Sequence, residues 1–161
     1  MNLYSIKRYC QNMTAQPRRN QTQWASQFLV AAELTRRGYL VSFTLGNAKF
    51  TDLMVETPGN QHFSIDVKGQ STKSYWIIKP PENNRNDQYF ILVYVPRDLT
   101  EAPQYFILSS DDIKEELKQN QERANQAEKE RGKPYSHKFG AAGMAWDQPL
   151  KYEGLWDKLP E

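Results

Sequence analysis

Apolar and polar positions follow two rhythms along this chain. From Gln21 or Thr22 to Arg37 the apolar residues recur at helical spacing, and Gly38 supplies the C-terminal stop. On a wheel of about 100° per residue, Trp24, Phe28, Ala31, Ala32 and Thr35 share the face predicted to be buried. Glu33 and Arg37 fall opposite, and Gln27 sits at the border. The rhythm then changes to period two. Strands are predicted over 39–44, 51–56, 62–68 (Phe63, Ile65 and Val67 alternating with Ser64, Asp66 and Lys68), 88–95 and 104–108, with a short one over 75–79. Pro58-Gly59-Asn60 reads as a turn and residues 80–87 as a polar loop. The run YFILVYV is apolar at every position, which suits a strand buried on both faces. Ser109 and Asp112 form a capping-box signature that starts a second helix. Its apolar stripe ends at Leu117, so residues 118–140 are expected to be exposed or irregular. Trp146, Leu150, Leu155 and Trp156 are expected to fold back onto the core. The expected architecture is α/β (α+β): one domain over 1–161, a central mixed sheet flanked by helices, with residues 1–21 as a short helix or an N-terminal arm.

Composition supports one packed core: 161 residues, 39% hydrophobic and 12% aromatic. No apolar run approaches the roughly eighteen residues of a membrane span. MNLYSIKRYCQNM holds no apolar stretch resembling a signal peptide, and the one cysteine, Cys10, has no partner for an intramolecular disulfide. The expectation is a cytoplasmic, reducing setting. Charge is distributed unevenly. Residues 1–80 carry ten Lys/Arg against four Asp/Glu, and residues 81–161 carry eleven against fifteen. A basic first half suits a polyanionic partner; the plainer alternative is ordinary solvated charge.

Candidate chemistry lies in the same half. In an antiparallel hairpin directly opposed residues have a constant index sum. A turn centred on Gly59 sets that sum so that Asp52 opposes Asp66, and Lys68, two residues on, shares their side. Opposed carboxylates repel, and a divalent cation would relieve the repulsion. Mg²⁺, or Mn²⁺ in its place, takes one or two carboxylates with waters and phosphate oxygens and assists phosphodiester hydrolysis. The alternative is a surface hairpin with solvated acids.

The order helix, strand, T-D-L-M-V, turn, F-S-I-D-V-K-G-Q resembles the PD-(D/E)xK nuclease superfamily, which includes restriction enzymes and junction resolvases. FLVAAELTRRGYLVS, YFILVYVP, QYFILSSDDI and the tail YEGLWDKL are similar to a compact bacterial branch of it. The resemblance covers residues 22–117 and the tail, and implies a restriction-endonuclease-like fold. Thr51-Asp52 stands for Pro-Asp and Asp66-Val67-Lys68 for (D/E)xK. The resemblance therefore implies Asp52, Asp66, Lys68 and Gln70 as catalytic residues, with metal held by Asp52, Asp66 and the carbonyl of Val67. The superfamily often has a Glu on its first helix near the metal; Gln27 stands there, and Glu33 is the less favoured contributor. The superfamily also places a helix directly after the lysine strand, where residues 71–79 here read as extended.

The expected activity is metal-dependent endonucleolytic hydrolysis of DNA, with RNA as an alternative strand and a homodimer favoured if both strands are cut. Lys49, Lys73, Lys79, Arg18 and Arg19, with Lys7 and Arg8, are the expected phosphate contacts. Two alternatives stand beside it: a nucleic-acid-binding module weakened in metal binding by Gln27, and a phage-defence interaction protein using the acidic second half. His62 and His137 lack the companions of a zinc site, and Cys10 reads as an inert thiol. Trp24, Trp146 and Trp156 read as core, whereas Tyr75 and Trp76 follow the motif closely enough to reach substrate.

Overall fold

A computed structural model of the chain describes residues 15–44, 51–79, 86–132 and 143–161. A long helix, α1 (Ala15–Arg36), leads into β1 (Leu40–Phe43), β2 (Leu53–Glu56) and β3 (His62–Gln70). The short β4 (Trp76–Ile77) precedes β5 (Gln88–Tyr94) and β6 (Gln104–Ser109). The second helix, α2 (Ser110–Arg131), is followed by β7 (Gly143–Met144) and two 3₁₀ turns, Gln148–Tyr152 and Trp156–Lys158. The five main strands form a mixed sheet in the order β1-β2-β3-β5-β6, and β4 pairs with β7 in a two-stranded sheet. Only β3 and β5 run parallel in the large sheet. The protein is α+β, with helices on both faces of the sheet.

The β2–β3 hairpin has the register read from its turn, pairing Leu53 with Ile65 and Glu56 with His62. Asn60 takes the positive φ that the turn demands, and the Thr57 hydroxyl accepts the amides of Gly59 and Gln61. Leu53, Val55, Phe63, Ile65, Val67, Ile91, Val93 and Ile107 line the face that receives Val30, Ala31 and Leu34 of α1. Phe90, Leu92, Phe106 and Leu108 line the other face, covered by Ile113 and Leu117 of α2 and by Trp76, Ile78 and Met144. β5 feeds both cores, as its unbroken apolar run implies.

Three expectations are corrected. First, α1 is already helical at Ala15, so residues 15–21 are no arm, and its buried face is rotated: Ser26, Gln27, Val30 and Leu34 are buried, while Trp24, Phe28, Ala32 and Thr35 are exposed. Trp24 and Phe28 instead stack along the flank of the helix onto Phe43, with ring centroids 5.9 and 5.4 Å apart. Before Val30 the helix contacts the sheet through small and polar residues because the backbones approach closely at Gly69. Second, after Leu117 the chain is exposed as expected but helical rather than irregular, α2 continuing to Arg131 with no further buried apolar residue. The Ser109–Asp112 capping box starts it and Gly132, at φ 63°, closes it. Pairs such as Gln119–Glu115, Gln121–Asn125 and Gln126–Glu130 support the exposed turns. Third, in the tail Trp146 and Trp156 pack on the two cores, but Leu150 and Leu155 are exposed and Leu159 is buried instead. The tail covers the β6 edge, with the Gly154 amide donating to Tyr105 at 2.9 Å. No helix among the described residues is long and apolar enough to cross a membrane.

The α1–β3 contact makes a direct prediction. A Cβ on Gly69 would stand 2.1 Å from Ser26 Oγ, 2.8 Å from Ser26 Cβ and 3.0 Å from the Thr22 carbonyl. Gly69→Ala should therefore cost about 1–3 kcal/mol in urea unfolding, the usual penalty of overpacking. Ser26→Gly should be less damaging in the Gly69→Ala background than alone, because it removes two of the three clashes; strictly additive effects would contradict the contact.

Candidate functional site

Strand β3 is longer than its neighbour. β2 begins at Leu53, so the last residues of β3 have no strand beside them on that side. Unpaired backbone groups at that depth are costly, and side chains take the place of the missing strand. Asp52 sits in a bend just before β2, its own amide donating to Ile65 O at 2.9 Å. Its Oδ2 accepts the Val67 amide at 2.8 Å. Gln23 of α1 completes the edge: Nε2 donates to Val67 O at 2.7 Å, and Oε1 accepts the Gly69 amide at 3.2 Å. One turn further along α1, Gln27 Nε2 donates to Asp52 Oδ1 at 2.7 Å.

Asp66 and Lys68 alternate onto the same side of β3, and Lys68 Nζ lies 2.5 Å from Asp66 Oδ1. Asp66 is 2% exposed. Its carboxyl group is near enough to Asp52 to raise the pKa of that group. The three residues read as a cluster thus do converge, but Asp52 does not simply face Asp66 across a ladder. The bend carries its carboxylate along the β3 edge, where it is wedged between α1, the Val67 amide and Asp66.

Burial is the largest influence on Asp52 and raises its pKa to about 6. The Val67 amide opposes that shift. The neighbouring Asp66 adds to it through its charge and through a hydrogen bond, while Lys68 lowers it. Two close carboxyl groups form a donor pair suited to a hard divalent cation in place of the proton on Asp52. The fit has a limit. The Val67 carbonyl, implied as a metal ligand, accepts from Gln23, and Asp52 Oδ1 accepts from Gln27. No group of three or more His, Cys, Asp or Glu suited to a metal occurs among the described residues. Asp52 and Asp66 would therefore supply the protein's ligands, with water and substrate oxygens completing the shell.

Beyond Lys68 the surface opens into a cleft of about 600 Å³, reached from α1 by Arg19 and Gln23, from β3 by Lys68 and Gln70, and from the segment after β5 by Arg97. Gln70 lies at this cleft and exchanges hydrogen bonds with Ser74, through its amide at 3.3 Å and its carbonyl at 3.2 Å. Glu33 is remote from the site and pairs with Arg36 and Arg37 on the outer face of α1. Lys73 is exposed and its Nζ lies over the Tyr94 and Trp146 rings at 5.6 and 5.7 Å. Lys79 is exposed. Lys7, Arg8, Cys10, Lys49 and His137 lie outside the described residues, as does the side chain of Arg18, which falls on α1. His62 is exposed beside Glu56, with Nδ1 to Oε2 at 3.7 Å. Trp76 is buried among Phe106 and Trp146, whereas Tyr75 is exposed at the cleft.

Sequence reasoning missed Gln23 and Arg97. Gln23 lies four residues before Gln27, so any wheel that puts one on the sheet puts the other there too. Arg97, directly after the apolar run and Pro96, carried no signal. Comparison with protein-family models, with curated proteins and with solved structures gives no match to this chain.

The raised Asp52 pKa sets a pH signature. The folded chain holds a proton on Asp52 up to about pH 6, whereas the unfolded chain releases it near 3.8. The folded state thus binds more protons across that window, so this contribution to stability is full below about pH 4 and is lost as pH rises through about 6. Urea midpoints across pH should show this decline superimposed on the other titrations. Asp52→Asn should remove that component, and an unaltered profile in the variant would contradict the assignment.

Proposed function

We propose that the chain is a metal-dependent endonuclease hydrolysing DNA phosphodiester bonds, built on a restriction-endonuclease-like arrangement of the β2–β3 hairpin against α1. The observation that carries the reading is the convergence of Asp52, Asp66 and Lys68 where β3 outruns β2, with Lys68 also lining a cleft that holds Arg19 and Arg97. Asp52 and Asp66 would hold Mg²⁺ or Mn²⁺. The ion's contribution is charge neutralisation at the phosphate and a lowered pKa for water.

The remaining chemistry belongs to the chain's own side chains. The Lys68 ammonium is held by Asp66 and is half-buried, which fixes it where it can orient an attacking water and offset charge developing on phosphate oxygens. Gln70, steadied by Ser74, offers an amide to water or substrate. Arg19 and Arg97 on the cleft wall, in no ion pair among the described residues, hold the polyanion in place. Gln27 supports Asp52 in its bent position and keeps its carboxylate on the Val67 amide.

A second reading is favoured by one observation: Gln27 and Gln23 occupy oxygens that a metal would otherwise use. On that reading the chain binds nucleic acid without cutting it.

Supercoiled-plasmid nicking in Mg²⁺, Mn²⁺ and EDTA separates the two. The nuclease reading expects metal-dependent nicking by wild type, reduced at least about a hundredfold in Lys68→Ala and Asp66→Ala, the usual loss when a transition-state donor or metal ligand is removed. Both variants should remain folded by circular dichroism. The rate should climb with pH through about 6, as Asp52 ionises, and Gln27→Glu should lower the Mg²⁺ concentration needed for half-maximal nicking. Equal nicking by wild type and Asp66→Ala would identify a contaminant and end the nuclease reading. Binding without nicking would establish the second reading.

A further inference from the structure

We propose that the cleft beside Lys68 is a seat for single-stranded DNA, with phosphates on Arg19 and Arg97 and a base against Tyr75. This deepens the nuclease reading and rests on it for the identity of the polyanion, while the binding itself requires neither metal nor cutting.

Charge selects the class of ligand. Among the described residues the lining includes three cations, Arg19, Lys68 and Arg97, and no carboxylate. Lys68 is committed to Asp66. Arg19 and Arg97 are exposed and enter no ion pair among the described residues. They stand on different elements, α1 and the segment after β5, so an anion with more than one charged group engages both. Planar guanidinium groups suit phosphate oxygens in particular.

Size selects among polyanions. A cleft of about 600 Å³ is in the range that accommodates small organic ligands. That volume suits a few nucleotides of one strand. Gln70, Thr72 and Ser74 also line the cleft, and their hydroxyl and amide groups can meet sugar and base edges. Tyr75, 41% exposed, adds an aromatic surface. A basic groove with an aromatic side chain is the combination that holds single strands without reading sequence.

The test is fluorescence anisotropy in EDTA, using the whole chain and a labelled oligothymidylate of about ten nucleotides. A blunt duplex and an oligouridylate of the same length are the comparisons. Wild type should bind the single DNA strand about tenfold or more tighter than the duplex, the difference one stacked base supplies. Arg19→Ala and Arg97→Ala should each reduce the slope of log affinity against log salt by about 0.7, one phosphate contact on a single strand, and Arg97→Lys should restore it. Tyr75→Leu should weaken binding about fivefold or more, the loss of one stacked base, at unchanged slope. Duplex binding as tight as single-strand binding, tighter binding of the RNA, or unaltered slopes in both arginine variants would each overturn the proposal. The two readings fail separately. Metal-dependent nicking without single-strand binding removes this proposal alone, and single-strand binding without nicking removes the nuclease reading alone.

Discussion

The mismatch in length between β2 and β3 is the constraint on which the rest of the site depends. A strand that outruns its neighbour inside a packed domain leaves main-chain groups needing partners, and here the Val67 amide and carbonyl and the Gly69 amide receive them from Asp52 and Gln23. Only a helix lying almost on the strand can deliver a glutamine to that edge. Gly69, which has no Cβ to collide with Ser26, permits the approach. The same geometry explains why the buried face of α1 is polar near this end and apolar only from Val30 onward. It also places Asp52 close to Asp66, the residue before Val67 on β3.

This arrangement gives Asp52 a structural role that would suffice to account for its position. It does not account for Asp66. A buried carboxylate beside another carboxylate raises the energy of the folded state when both are ionised, and a polar neutral residue at position 66 would avoid that. Lys68 offsets part of the cost. Two acids and a lysine where a simpler cap would serve are what the proposed chemistry would use.

Much of this was legible in the sequence, and the reasons for the rest are physical. The hairpin register followed from the turn centred on Gly59 and matched pair for pair from Leu53–Ile65 to Glu56–His62. Alternation located β3, and the unbroken apolar run located β5 between two cores. The bend at Asp52 was not legible, because ladder arithmetic continues a strand where the chain instead turns to meet an unpaired amide. The phase of α1 was misread because Trp24 and Phe28 dominate any hydrophobic wheel. They serve an exposed aromatic flank with Phe43, and the true contact is made by smaller residues whose signal is weaker. The outer half of α2 lacked an apolar stripe, and its helicity comes from caps and local side-chain pairs that a core-seeking pattern does not register.

Whether the Asp52–Asp66 pair is a cation site or only a protonated structural contact is the central question, and calorimetric titration with Mn²⁺ near pH 6 addresses it without relying on any substrate. Run in two buffers of different ionisation enthalpy, wild type is predicted to bind one ion with release of a proton to the buffer, because the cation displaces the proton that burial and Asp66 hold on Asp52. Asp66→Asn is predicted to lose that binding while keeping its fold. Absence of binding heat in wild type, or an identical isotherm in Asp66→Asn, would contradict the account and leave Asp52 as a cap on the β3 edge.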